Sequence, residues 1–163
     1  MGRNIYHLLS KHVSKLAMGP PHSDYLVQIL EESLSEKEAE ILLNLPTQVV
    51  PFELVNLDRL ADSTGHSKLE LQSTLDNLAT RGLIFKGICK DGKRGYALHQ
   101  FGYGMPQAIF WPNENTPYAR RMAELCIRHS SSEVLVEAFG GTGPKVFRWI
   151  PVKKSVEFNI PFA

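Results

Sequence analysis

The side chains with the widest chemical reach in this chain are six histidines and two cysteines. Their spacing gives them little to do together. His7, His12, His22, His66, His99 and His129 form no His-Glu-x-x-His string, nor any paired spacing that would turn two imidazoles toward one metal. Cys89 and Cys126 stand far apart, so there is no CxxC pair, and a tetrahedral zinc site would have to gather scattered histidines. Unpaired thiols are what a reducing compartment keeps. No serine or cysteine stands in a spacing to a histidine that assigns a nucleophile and its base. The glycine-rich stretch Gly140 to Lys145 invites comparison with a phosphate-binding loop. Such a loop follows a strand and opens a helix, whereas this one follows a helical pattern and lacks the closing Lys-Ser/Thr pair. It reads as a helix stop. No catalytic, cofactor-binding or metal-ligating residue is therefore expected in this chain, and no enzyme activity of its own.

Composition narrows the field further. Hydrophobic residues at 43% and charged residues at 21% are ordinary for a globular protein, which sets aside disordered and collagen-like classes. The net charge of +1 exerts no overall pull on nucleic acid or anionic membrane, so any electrostatic footprint must be local. No apolar run approaches the roughly 20 residues that span a bilayer. A cytoplasmic location without a membrane partner is expected. Residues Gly2 to Leu16 place Ile5, Leu8, Leu9, Val13 and Leu16 near helical spacing, with Lys11 and Lys15 between them. A basic amphipathic anchor or a transit peptide would look like this, but so does a helix packed on the body of the protein, and the packed helix is expected.

The elements that must position any functional side chain are marked by their caps. Gly19-Pro20-Pro21 ends the first helix, and Asp24 is expected to cap the next, which carries Tyr25, Leu26, Ile29 and Leu30. Ser35 and Glu38 have the spacing of a capping box ahead of Ala39, Leu42 and Leu43. Phe52, Leu54 and Leu57 lead into a short helix with Asn56 as N-cap and Gly65 as stop. Ser67 and Glu70 repeat the capping-box spacing and open a longer helix with Leu71, Leu75 and Leu78 as its inward stripe, ended by Gly82. Two strands follow, Leu83 to Lys90 and Arg94 to His99, around the turn dipeptide Asp91-Gly92. Thr116-Pro117 opens a helix from about Tyr118 to His129, with Tyr118, Met122, Leu125 and Cys126 on one side. Ser130 with Glu133 is expected to open another, through Phe139, and Val146 to Val156 to be extended.

Short helix, turn, longer helix and β-hairpin, in that order, are the parts of a winged helix-turn-helix. The expected fold class is α+β, mainly α: a winged-helix core over residues 23–101, an N-terminal helical arm over 1–22, and a helical and extended C-terminal appendage over 102–163. In such a fold the second helix of the pair can enter the major groove of DNA while the hairpin touches the backbone. The contact residues would be Ser67, Lys68, Gln72, Ser73, Asn77 and Arg81 on the helix, with Lys86, Lys90, Lys93 and Arg94 on the hairpin. The hairpin is basic. On the helix, Glu70 and Asp76 cancel Lys68 and Arg81, and DNA affinity rests on phosphates neutralised by cations. A protein-docking module is an equally good reading of these residues. A third, a sensor holding a small ligand among Phe101, Tyr103, Phe110, Trp111 and Trp149, competes with plain core packing of those rings.

Several strings in the chain look like the N-terminal region of ferredoxin-type iron–sulfur proteins of anaerobic bacteria and archaea. They are Asn4-Ile5-Tyr6-His7-Leu8-Leu9, Gly19-Pro20-Pro21, Ser35-Glu36-Lys37-Glu38-Ala39-Glu40 ahead of Leu45-Pro46, the winged-helix stretch, and Val146-Phe147-Arg148-Trp149-Ile150-Pro151-Val152. The resemblance covers nearly the whole chain and lies in the order of the strings. It implies a companion region that binds 4Fe-4S clusters through CxxCxxCxxxCP motifs. This chain has two cysteines and no such run, so the resemblance transfers no cluster ligand to any residue here. The clusters are expected in a missing C-terminal part, beyond Ile160-Pro161-Phe162-Ala163. The resemblance implies docking as the role of this chain, against a redox partner or against a second copy in a homodimer. The alternative is a DNA-binding transcriptional regulator.

Overall fold

The computed structural model describes residues 2–16, 19–47, 53–99, 107–110 and 112–133. The helix expected from Ser130 to Phe139, the Gly140–Lys145 stretch and the extended segment from Val146 lie largely or wholly outside them. So do Phe101, Tyr103, Trp111 and Trp149. The architecture is mainly helical, with one small antiparallel sheet.

Three helices come first: α1 (Gly2–Val13), α2 (Asp24–Ser33) and α3 (Glu36–Leu43). Helix α1 stops a turn earlier than its apolar pattern suggests, yet Leu16 stays buried. Its inward side is Tyr6 and Leu9, with the Tyr6 hydroxyl donating to the Leu34 carbonyl at 2.8 Å, while Leu8 is exposed. The cap of α2 is Ser23, one residue before the expected Asp24. Its Oγ accepts from the Leu26 amide, and Asp24 sits in the first turn, where a carboxylate favours the positive end of the helix. Helix α3 opens with the full capping box of Ser35 and Glu38.

Then come β1 (Val55–Asn56), α4 (Leu57–Thr64), α5 (Lys68–Thr80), β2 (Ile84–Ile88) and β3 (Arg94–Leu98). Asn56 caps α4 by accepting from the Arg59 amide at 2.9 Å, and Gly65 ends it in the left-handed region at φ +68°. Leu71, Leu75 and Leu78 of α5 are wholly buried. The Ser67 cap is one-sided: its Oγ accepts from the Glu70 amide, but the Glu70 carboxylate turns to Lys37 of α3. Helix α5 closes on Gly82, with the Leu83 amide donating to the Leu78 carbonyl and the Gly82 amide to Ala79. This is the Schellman arrangement, which satisfies the free carbonyls of the last turn and swings the chain back toward the sheet.

The sheet order is β1-β3-β2, all antiparallel. The hairpin pairs Ile84 with Leu98 through to Ile88 with Arg94. The Gly92 amide donates to the Cys89 carbonyl, the Cys89 amide to Lys93, and Gly92 sits at φ +77°. Asp91 keeps a negative φ, so the reversal is a three-residue loop with glycine in the left-handed place rather than a two-residue turn. Strand β1 was not expected; its two residues occupy the free edge of β3, Val55 against Tyr96 and Asn56 against Gly95.

The main core gathers α1 to α5 and the sheet around Leu9, Leu30, Leu71, Leu75, Leu78 and Tyr96. After α6 (Gln107–Phe110), α7 (Pro117–Ser130) is capped by Thr116 and lies on α2 through a second, smaller cluster of Ile29, Met122, Leu125 and Cys126. Tyr118 is outside that cluster and exposed, and Ser130 is the last residue of α7.

Candidate interaction face

Helix α5 and the hairpin share one exposed face. The chain reverses at Gly82, so β2 runs back along α5. Lys86 of β2 and Arg94 of β3 both reach Asp76 of α5, with N–O distances of 3.2 and 3.0 Å. Strand alternation puts Ile88 on the same side as Lys86, and pairing puts it beside Arg94. Leu69 lies two helical turns before Asp76 on the same side of α5. Leu69 is 82% exposed and Ile88 69%.

Two carboxylates organise the cations of this face. Asp58, in the first turn of α4, takes Lys68 and Lys93, the latter at 2.8 Å. Hydrogen bonds from Lys68 and then Lys93 bring its pKa down to about 2. Asp76 takes Lys86 and Arg94 and accepts from the Tyr96 hydroxyl at 3.1 Å. Burial opposes ionisation there, but the hydrogen bonds from Lys86 and Tyr96 and the nearby positive charges outweigh it and hold the carboxyl below its usual range. Burial first, and then Asp76, push the Tyr96 phenol up to about 12.

Of the expected contact residues, Lys68, Gln72, Ser73, Lys86, Lys90, Lys93 and Arg94 lie on or around this face. Ser67 is consumed by its cap. Of the six expected cations, Lys90 alone has no ion pair among the described residues. Arg81 is drawn away to the helical layer, where its guanidinium meets Glu38 at 2.6 Å and the Ser33 carbonyl, and Asn77 accepts from it at 3.4 Å. Charge counting along the sequence found that Asp76 cancels a cation but could not show which ones. It missed Asp58, Leu69 and Ile88. Ile88 carried the one available signal, an apolar residue in phase with an outward lysine.

The two thiols lie in different parts of the fold. Cys89 is half-buried beside the hairpin loop, with its Sγ near the Leu54 carbonyl, and Cys126 is buried between α7 and α2. Burial raises both thiol pKa values, that of Cys126 to about 11. Among the described residues no three His, Cys, Asp or Glu side chains are grouped to hold a metal ion. Two serine–histidine pairs do form, Ser10 with His22 at 2.7 Å and Ser23 with His129 at 2.8 Å. Ser10 is wholly buried and Ser23 is occupied as the α2 cap, so both pairs hold the fold together. An apolar cavity of about 40 Å³ between α1, α2 and the sheet, edged by His99, is far below the several hundred Å³ of a usual ligand site. No helix among the described residues is long and apolar enough to cross a membrane. No protein-family model, curated protein or solved structure matches the chain.

Proposed function

We propose that this chain is a winged-helix docking module, the non-catalytic part of a ferredoxin-like iron–sulfur electron-transfer assembly whose clusters are held by residues other than these. The order α4, α5 and hairpin, with β1 laid against the far side of β3, supports the winged-helix assignment. The iron–sulfur setting draws on the family resemblance. The docking role draws on one observation. The cations of the α5–hairpin face are held two to a carboxylate by Asp58 and Asp76, and Leu69 and Ile88 are exposed on the same face. Duplex DNA is bound by cations free to displace counterions from phosphates, and carboxylates set among them repel the same phosphates. A protein partner can gain from covering the two apolar side chains, which a nucleic-acid backbone cannot.

The alternative is a DNA-binding regulator, favoured by the basic hairpin and the unpaired Lys90. Fluorescence anisotropy with a labelled 20-base-pair duplex separates the two. At about 150 mM salt, where exposed charges are well screened, the native chain should show no saturable binding. The double variant Asp58→Asn, Asp76→Asn, which leaves four cations unopposed, should gain binding that falls steeply with salt. Native binding at that salt, weakened by Lys93→Ala with Arg94→Ala, would replace the docking module with a regulator.

A further inference from the structure

The same face has a charge balance that specifies its occupant. Lys68 and Lys93 share Asp58, Lys86 and Arg94 share Asp76, and Lys90 has no ion pair among the described residues. The third carboxylate nearby, Asp91, accepts from the Asn56 amide and the Lys93 backbone. Arg59 and Glu53 line one cleft with Ile88, Lys90 and Asp91, so six cations (Lys68, Lys86, Lys90, Lys93, Arg94, Arg59) stand against four carboxylates (Asp58, Asp76, Asp91, Glu53). An ammonium has three donors and a guanidinium five, so each shared cation retains capacity for a further acceptor. Two exposed apolar side chains share the face, Leu69 on the Asp76 side of α5 and Ile88 paired with Arg94 in the hairpin.

We infer that the α5–hairpin face receives an acidic protein segment anchored by a large apolar side chain, which packs on Leu69 and Ile88 while its carboxylates complete the cation clusters. The inference rests on the docking reading and adds the partner's chemistry. A second copy of the chain fits less well. A two-fold contact through this face would set its surplus positive charge against itself. DNA offers charge but no apolar anchor to cover Leu69 and Ile88; an acidic segment meets the same Asp58 and Asp76 with fewer negative charges and gains from the anchor.

The test is a selection of random twelve-residue peptides displayed on phage against the immobilised full chain. Enriched sequences should place two or more Asp or Glu beside a Leu, Phe or Trp. Synthesised and labelled, they should bind the chain saturably, about tenfold or more weakly to the double variant Leu69→Ser, Ile88→Ser, because two apolar contacts are lost. They should bind more tightly to Asp58→Asn, Asp76→Asn, whose cations are unopposed. Both residues of the serine variant are exposed, and an unchanged thermal melt confirms its fold. Enriched peptides that need Leu69 and Ile88 but carry no acidic bias would overturn the partner chemistry and leave docking intact. Binding indifferent to the serine variant, or no enrichment at all, would overturn the assignment of this face. Competition of the peptides by the 20-base-pair duplex would overturn both this and the docking reading.

Discussion

At the scale of single residues, one close fit depends on a side chain that is absent, that of Gly95. A methyl group there would press into the Cys89 sulfur and stand 3.0 Å from both the Leu54 Cβ and the Val55 carbonyl. The absent side chain is what lets β1 and Cys89 both close on β3. Replacing Gly95 with alanine should cost about 1–3 kcal/mol in urea unfolding, the usual penalty of overpacking. Part of that cost should return in a Cys89→Ala background, where the sulfur is gone. A cost unchanged by removing the sulfur would place the strain in the backbone contacts alone. Asp58 and Asp76 work differently. Each is an ordinary surface acid in the sequence, and each becomes the centre of a cation pair only because the fold brings two cations to it, Lys68 and Lys93 to Asp58 and Lys86 and Arg94 to Asp76.

At the scale of elements, most boundaries were legible because their signals are local. Ser35, Asn56, Thr116, Gly65 and Gly82 act within three or four residues of themselves, and each does what its type predicts. The exceptions have a common cause. Strand β1 has too few residues to show a period and exists because β3 offers an edge. The Ser67 box is half-made because Lys37, distant in sequence, competes for Glu70. The two faces of α5 can be told apart by stability. Leu75→Ala empties a wholly buried site and should cost about 2–5 kcal/mol, whereas the exposed Leu69→Ala should stay within about 0.5 kcal/mol. Equal losses at the two positions would mean that α5 is rotated from the arrangement described.

At the scale of the whole molecule, two packing centres of unequal size set the pattern of stability. Helix α7 is held to α2 by the smaller cluster and by the His129–Ser23 bond. Burial lowers the His129 pKa from its ordinary 6.5, and Nε2 has no hydrogen-bond partner among the described residues. The undocked histidine therefore takes up a proton more readily than the docked one. The stability that the neutral His129 lends to the α2–α7 contact is expected to be present above pH 6.5 and to be lost as the pH falls below that value. Hydrogen exchange, corrected for intrinsic rates, should show α7 losing protection relative to α5 between pH 7.5 and 5.5, and His129→Gln should flatten the difference. A slope that survives the glutamine would assign it to another group. By itself the sequence determined the succession of helices, the hairpin, the leucine stripe and the mainly helical class, since caps, turns and periodicity act over a few residues. Only the tertiary structure decided which cations are spent on Asp58, Asp76 and Glu38, which apolar side chains stay uncovered, and that two serine–histidine pairs are structural. Those outcomes depend on distances between residues far apart along the chain, and Coulomb attraction and burial follow distance in space.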